Sequence, residues 1–223
     1  MRLPQLDGVI FDADGTLFDT ERLAYTVWTA VSREMNAPYI PQHYMELVGR
    51  NHHGIVAALQ QICPPDFPLD DFLTLCSQRC RAKLIQEGVP LKKGAREILE
   101  FLHQRNIPVA LATSSGAQTT RLKLEDAHFT SYFHAVITGD MVTHSKPDPE
   151  IYRLACQALH LDPTRTLGVE DSKNGILSAH AAGMYPVMIP DLIPPPSEVE
   201  SLLFRTFHSL LDLRDFLTQI FKA

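Results

Sequence analysis

Short runs of wholly apolar residues recur along the chain and alternate with stretches of helical periodicity. Residues 8–11 (GVIF), 109–112 (VALA), 135–138 (AVIT), 166–169 (TLGV) and 186–189 (PVMI) each read as a buried strand. Between them, residues 95–105 carry Ile98, Leu99 and Leu102 on one helical face, and helices are also expected over 117–127, 149–160 and 175–182. Pro147 and Gly183 are placed to start one helix and stop another. Such alternation predicts an α/β fold, a Rossmann-like parallel sheet with helices on both faces. Residues 18–88 break the pattern. They hold helical stretches at 23–35, 44–47, 54–62 and 70–86 and no convincing strand. The expected organisation is therefore a catalytic core of residues 1–17 and 89–223 with an inserted α-helical cap domain over 18–88. Residues 63–68 and 190–196 read as loops, and the amphipathic tail from Glu198 is expected to close the core.

Composition narrows the classes of function. Hydrophobic residues are 45% of the 223, enough for a sizeable core, and the formal net charge is -6 without any basic block. A nucleic-acid partner is not expected on that balance. Residues 1–5 lack the apolar stretch of a signal peptide, and no apolar run approaches the roughly 20 residues that span a bilayer, so a cytoplasmic protein without a membrane partner is expected. Cys63, Cys76, Cys80 and Cys156 show no metal-ligand spacing and read as free core thiols.

Chemistry is concentrated at the ends of the apolar runs. Asp12 follows the first, Thr113 the second, Asp140 the third after a short step, and Glu170-Asp171 the fourth. In an open parallel sheet the carboxyl ends of neighbouring strands share one crevice, so sequence-distant clusters converge there. Asp12, Asp14, Asp171 and Glu170 would crowd negative charge in a way that demands a cation. An all-oxygen donor set suits Mg²⁺, and there is no His or Cys grouping for zinc. Gly15 allows a sharp turn after Asp14. Lys146 is the cation placed between the third and fourth strand ends. Thr113, Ser114 and Ser115 offer hydroxyls and amides to phosphate oxygens.

Taken together, the stretches 12–21 (DADGTLFDTE), 111–115 (LATSS), 145–152 (SKPDPEIY) and 168–172 (GVEDS) resemble the haloacid dehalogenase superfamily, most of all its β-phosphoglucomutase-like phosphatases. The resemblance covers essentially the whole chain. It implies a Mg²⁺-dependent phosphatase acting on small phosphorylated metabolites, with sugar phosphates foremost, through an aspartyl-phosphate intermediate. Asp12 would be the nucleophile and a metal ligand. Asp14 would be the acid and base, its carboxyl raised by the negative charge around it, and its backbone carbonyl would touch the metal. Thr113 would bind the phosphoryl group, Lys146 would steady Asp12 and the phosphate, and Asp171 with Glu170 would complete the metal site. Thr16, Glu21, Arg50, Ser114 and Ser115 are the substrate-binding candidates. The segment Gly49-Arg50 resembles a cap segment that contacts a second anionic group. Trp28 is expected in the cap core, His52 and His53 in solvent. The stretch 22–25 (RLAY) lacks the His that assists sugar turnover in the mutases, which favours a phosphatase over a phosphomutase; a non-catalytic binding protein is the other alternative. The expected partner is a small-molecule phosphomonoester, and the enzyme is expected to act as a monomer.

Overall fold

The computed structural model describes residues 5–48, 50, 52–192 and 197–221. In chain order, β1 (Gly8–Phe11) leads to α1 (Thr20–Glu34), α2 (Tyr44–Leu47), α3 (His52–Ile62) and α4 (Leu69–Glu87). Strands and helices then alternate: α5 (Ala95–Gln104), β2 (Val109–Ala112), α6 (Ala117–Asp126), β3 (Ala135–Ile137), α7 (Glu150–Ala158), β4 (Thr166–Glu170), α8 (Lys173–Ala181) and β5 (Tyr185–Met188). The chain ends with α9 (Ser197–Glu200), β6 (Arg205–Thr206) and α10 (Leu210–Leu217).

The six strands among the described residues join one parallel sheet in the order β3-β2-β1-β4-β5-β6. Strand side chains point alternately to the two faces, and both faces are apolar because helices cover each. Val9, Phe11, Val109, Leu111, Leu167 and Val169 pack with residues of α5, α6 and α10. Ile10, Ala110 and Ala112 pack on the other side with Ile151, Tyr152, Ala155 and Ala179 of α7 and α8. A parallel sheet buried this way shows no polar alternation, which is why its strands stood out as continuous apolar runs. The short final strand did not: β6 is two exposed residues, without any apolar signature. The tail meets its expectation through α10, whose Leu210, Leu213 and Leu217 are buried in the main core.

Helices α1 to α4 have a core of their own, built on Val27, Trp28, Val31, Tyr44, Leu47, Leu59 and Phe72. The Trp28 ring meets Tyr44 edge-on at 5.5 Å and Phe72 at 5.2 Å, a geometry that aromatic quadrupoles favour. Two strands of chain link this unit to the sheet side by side. Asp19 N–H donates to the Pro90 carbonyl and Lys92 N–H to that of Leu17, both at 2.9 Å. Phe18 and Leu84 belong to the sheet-side core rather than to the helical one, so the two units interlock at their joint.

Helix starts shift slightly from the sequence expectation. The seventh helix begins at Glu150, not at Pro147, with Asp148 Oδ1 accepting from Glu150 N–H at 2.9 Å. The eighth begins at Lys173, capped by Ser172 Oγ accepting from Gly175 N–H at 3.1 Å. Gly49 and Asn51 of the expected cap segment, and residues 193–196 of the expected loop, lie outside the described residues. No helix among the described residues is long and apolar enough to cross a membrane.

Candidate active site

The sheet order brings the ends of β2, β1 and β4 side by side, with Thr113, Asp12 and Asp171 just beyond them. Main-chain ladders continue past the strands to fix two of these residues. Asp12 N–H donates to Val169 O at 2.9 Å and Thr113 N–H to Ile137 O at 3.0 Å. Lys146 arrives from the loop between β3 and α7. Its loop is tied down by Ser178 Oγ, which donates to the Asp148 carbonyl at 2.6 Å.

Lys146 is the hub of the buried charge. Its Nζ donates to Asp12 Oδ1 at 2.6 Å, Glu170 Oε1 at 2.5 Å and the Ala112 carbonyl at 2.9 Å. Glu170 is fully buried and also accepts from Tyr152 Oη at 2.6 Å and Ser172 Oγ at 3.2 Å. Asp12, Glu170 and Asp171 each bring a carboxylate oxygen within 4.8 Å of the others. Two glycines make room for this cluster. A Cβ on Gly15, whose φ is +80°, would lie 2.2 Å from Asp171 Oδ2, and one on Gly175 would lie 2.0 Å or less from the Glu170 carboxyl group.

Three buried carboxylates around one ammonium leave an excess of negative charge. Burial pushes Asp12 up to about 8; Lys146 pulls it down, while Glu170 and Asp14 push it up. Asp171 is raised well above the carboxylate range by burial and by Asp12 and Glu170. Burial disfavours the Lys146 charge, but Asp12 and Glu170 outweigh it and hold the ammonium above its ordinary value. A cluster in which carboxylates hold on to protons lacks positive charge. Its all-oxygen donor set fits a hard divalent ion such as Mg²⁺.

Asp14 faces the other way. Its carboxylate accepts from Ser115 Oγ at 2.8 Å and from Thr20 Oγ1 and the Lys123 ammonium. Burial works to raise Asp14, but Lys123 and the hydroxyl donors outweigh it and the carboxyl sits below its ordinary value. This corrects the expectation of a raised Asp14: the nearest charge is a cation that the motif pattern did not include. Lys123 was missed, although Thr120, Lys123 and Leu124 share the inward face of α6, and a lysine on such a face was the available signal. Tyr152 and Thr20 were not singled out either, although both lie inside the motif stretches 145–152 and 12–21, since a hydroxyl there carries no mark of which carboxylate it meets.

A cavity of about 430 Å³ opens between the sheet ends and the helical unit. Asp12, Asp14, Thr113, Ser114, Ser115, Lys146 and Asp171 line its floor, and Glu21 and Arg50 its helical side. Glu21 Oε2 accepts from Tyr44 Oη at 2.9 Å, and burial, reinforced by Asp14, pushes the Glu21 carboxyl up to about 7. Arg50 is exposed at the rim, its Nε donating to the Glu46 carbonyl at 2.8 Å. His52 is exposed but also reaches the rim, whereas His53 is exposed away from this cavity. Thr16 is a correction. It is fully buried behind Asp171, donates to Asp171 Oδ1 at 3.3 Å and does not line the cavity. Asp140 is another strand-end acid outside the site; its carboxylate accepts from Ala117 N–H at 3.2 Å at the start of α6.

Comparison with known proteins gives a consistent picture. A family profile described as haloacid dehalogenase-like hydrolase matches residues 9–189. A phosphorylated carbohydrates phosphatase from Thermotoga maritima is 31% identical over 179 residues, covering 80% of this chain and 82% of that protein. A probable pseudouridine-5'-phosphatase from Drosophila melanogaster is 32% identical over 189 residues, covering 82% and 80%. Among solved structures, a hydrolase of the same family from Deinococcus radiodurans, with bound phosphate and sodium, superposes with a TM-score of 0.76 at 29% identity, covering 98% of this chain and 97% of that one.

Proposed function

The chain belongs to the haloacid dehalogenase-like hydrolase family, and on that premise we propose that it is a Mg²⁺-dependent phosphatase of small phosphorylated metabolites. The observation that carries this reading is the Lys146 ammonium shared between Asp12 and Glu170 at the floor of a cavity, with Asp171 beside them. Lys146 holds one Asp12 oxygen, which leaves the other to attack. The named relatives act on phosphorylated carbohydrates and, in one case, on a nucleoside phosphate, and phosphate release is common to both names.

In this reading Asp12, Asp171 and the Asp14 carbonyl hold Mg²⁺, with Glu170 beside them. The ion, when bound, neutralises the phosphate and the charge that builds up on it during transfer. Thr113 and Ser114 orient the phosphoryl oxygens and Lys146 offsets their charge. The free oxygen of Asp12 attacks phosphorus, the P–O bond to the alcohol breaks, and the alcohol oxygen takes a proton from Asp14. A water molecule then attacks the aspartyl-phosphate, passes its proton to Asp14, and inorganic phosphate leaves with Asp12 restored. The lowered Asp14 is compatible with this cycle because an arriving phosphate anion raises the proton affinity of a neighbouring carboxylate. Residues 18–88 act as the cap that closes over the substrate, with residues 1–17 and 89–223 as the catalytic core.

The test is phosphate release from an aryl phosphate by the wild type and by Asp12→Asn. The variant should lose at least about four orders of magnitude in kcat, as expected when a covalent nucleophile is removed. EDTA should abolish the wild-type rate and Mg²⁺ restore it. A variant with the full rate, or a rate indifferent to chelation, would sink the mechanism.

A further inference from the structure

The two walls of the cavity differ in chemistry. The floor offers hydroxyls, carboxylates and an ammonium, but the helical wall is built mainly of Leu23, Ala24, Leu47, Val48, Ile55 and Leu84, with Ser77 and Cys80 of α4 between them. Trp28 and Tyr44 complete it with two aromatic rings. Both rings are held in place: Tyr44 is caught edge-on between Tyr25 at 5.2 Å and Trp28 at 5.5 Å. The chief polar feature at depth is the Glu21 carboxylate, which takes the Tyr44 hydroxyl at 2.9 Å and has further lone pairs to accept a second donor. Arg50 and His52 stand at the exposed rim.

A phosphate held by the floor must turn the alcohol part of its ester towards this wall. Hydroxyls close to the phosphate, such as those of a ribose, lie near Thr20 and Lys123 at Asp14. A sugar pushed out against the apolar part of the wall would bury hydroxyls there with few partners, and each buried hydroxyl left without one is costly. A flat ring gains from the same surface, because it covers apolar area and can meet the edges of Trp28 and Tyr44.

We propose that, among small phosphorylated metabolites, this enzyme selects esters whose alcohol carries a planar ring with one N–H or O–H donor directed at Glu21, such as hydroxyaryl or pyrimidine-nucleoside 5'-phosphates, over sugar and polyol phosphates. The inference deepens the phosphatase reading and rests on it. Glu21 and the apolar wall bind the leaving alcohol and take no part in the bond-breaking step.

The experiment is a four-compound panel with phosphate release measured for uridine 5'-monophosphate, 4-hydroxyphenyl phosphate, glucose 6-phosphate and glycerol 1-phosphate. The ring esters should exceed the glucose and glycerol esters in kcat/KM by about tenfold to a hundredfold, the range within which an apolar pocket discriminates. Ile55→Asn, which brings an amide into the wall from a half-buried position, should narrow the ratio of ring ester to glycerol ester about tenfold. Glucose or glycerol phosphate cleaved as well as the ring esters would overturn the inference and leave the phosphatase reading intact. Release from none of the four would overturn both. If Ile55→Asn is misfolded by circular dichroism, the wild-type panel still decides.

Discussion

The floor of the cavity and its helical wall are made in opposite ways. On the floor, groups from four distant parts of the chain are locked to one another: Lys146 to Asp12, Glu170 and a main-chain carbonyl, Glu170 to Tyr152 and Ser172, Asp171 to Thr16. Moving one member disturbs the charge balance of the rest. The wall is mostly apolar surface from separate helices, where a substitution changes shape and solvation but leaves few partners stranded. Reaction chemistry needs fixed charges at fixed distances, whereas discrimination between alcohols can be reached by surface and volume. The floor should therefore fail steeply and the wall gradually.

The steepest failure is expected at Lys146→Met. With its ammonium gone, the Asp12–Glu170 pair loses its buried counter-charge, and breaking a buried ion pair typically costs about 3–5 kcal/mol. Loss of electrostatic support at the phosphate should lower kcat by about three orders of magnitude. Urea denaturation and aryl phosphate turnover measure the two effects. Retention of both within a factor of a few would show that the floor is not a coupled unit.

A comparable loss of stability with a different functional signature is expected in the helical unit. Trp28 is held between Tyr44 and Phe72 and is 9% exposed. Trp28→Ala removes that packing, and large-to-small changes of this kind cost about 3–5 kcal/mol. Thermal melts should fall while glycerol phosphate, which needs little of the wall, loses less kcat/KM than a ring ester does. Equal losses for both esters would put the wall and the floor in one class.

These two sites also differ in how far they could be read from sequence. Asp12, Thr113, Lys146 and Asp171 were legible because each stands just past a strand end or in a short motif, and strand order alone brings such positions together. The strands were legible as apolar runs because both sheet faces are covered. Lys123 and Tyr152 were harder, since a helical pattern tells which face is inward but not which carboxylate lies opposite. Thr16 misled in the other direction: its place in the motif signals importance, but only the turn at Gly15 shows that it supports Asp171 from behind. The wall was the least legible. Its residues come from several helices and carry the same apolar spacing as any helical core, so nothing in one helix marks them as facing a cavity.

A milder perturbation, pH, should act on the floor and on Glu21 of the wall, whose carboxyl is pushed up to about 7, whereas Mg²⁺ should act on the floor alone. Asp12 has an ordinary value of 3.8 and is pushed up to about 8 in the fold, and Asp171 is raised in the same direction. Between those two values the folded protein retains protons that the unfolded chain has released. Raising the pH through that window therefore destabilises the metal-free fold, the Asp12 contribution being lost as the pH passes about 8. Mg²⁺ competes for the same oxygens and should restore most where protons are fewest. At roughly a hundred times its Kd a ligand adds about 2.7 kcal/mol, or about 5 °C or more in Tm for a chain of this size. Melts with and without Mg²⁺ at pH 5.5 and pH 8 should show the larger shift at pH 8. Equal shifts would place the ion away from this cluster.

The smallest effect is expected at the rim. Arg50 is exposed and its Nε donates to the Glu46 carbonyl at 2.8 Å, so Arg50→Ala removes a solvated charge rather than a buried partner. Exposed pairs contribute about 0–1 kcal/mol, which limits the change in KM for a monophosphate to about fivefold. A substrate with a second anionic group reaching the rim would behave differently, because a charge-assisted contact would then be lost together with long-range attraction. Comparing KM of wild type and Arg50→Ala for uridine 5'-monophosphate and for fructose 1,6-bisphosphate separates the cases. A small change for the first with a tenfold or greater change for the second would make the rim a charge reader laid over an apolar wall. Small changes for both would leave the wall alone in choosing the alcohol.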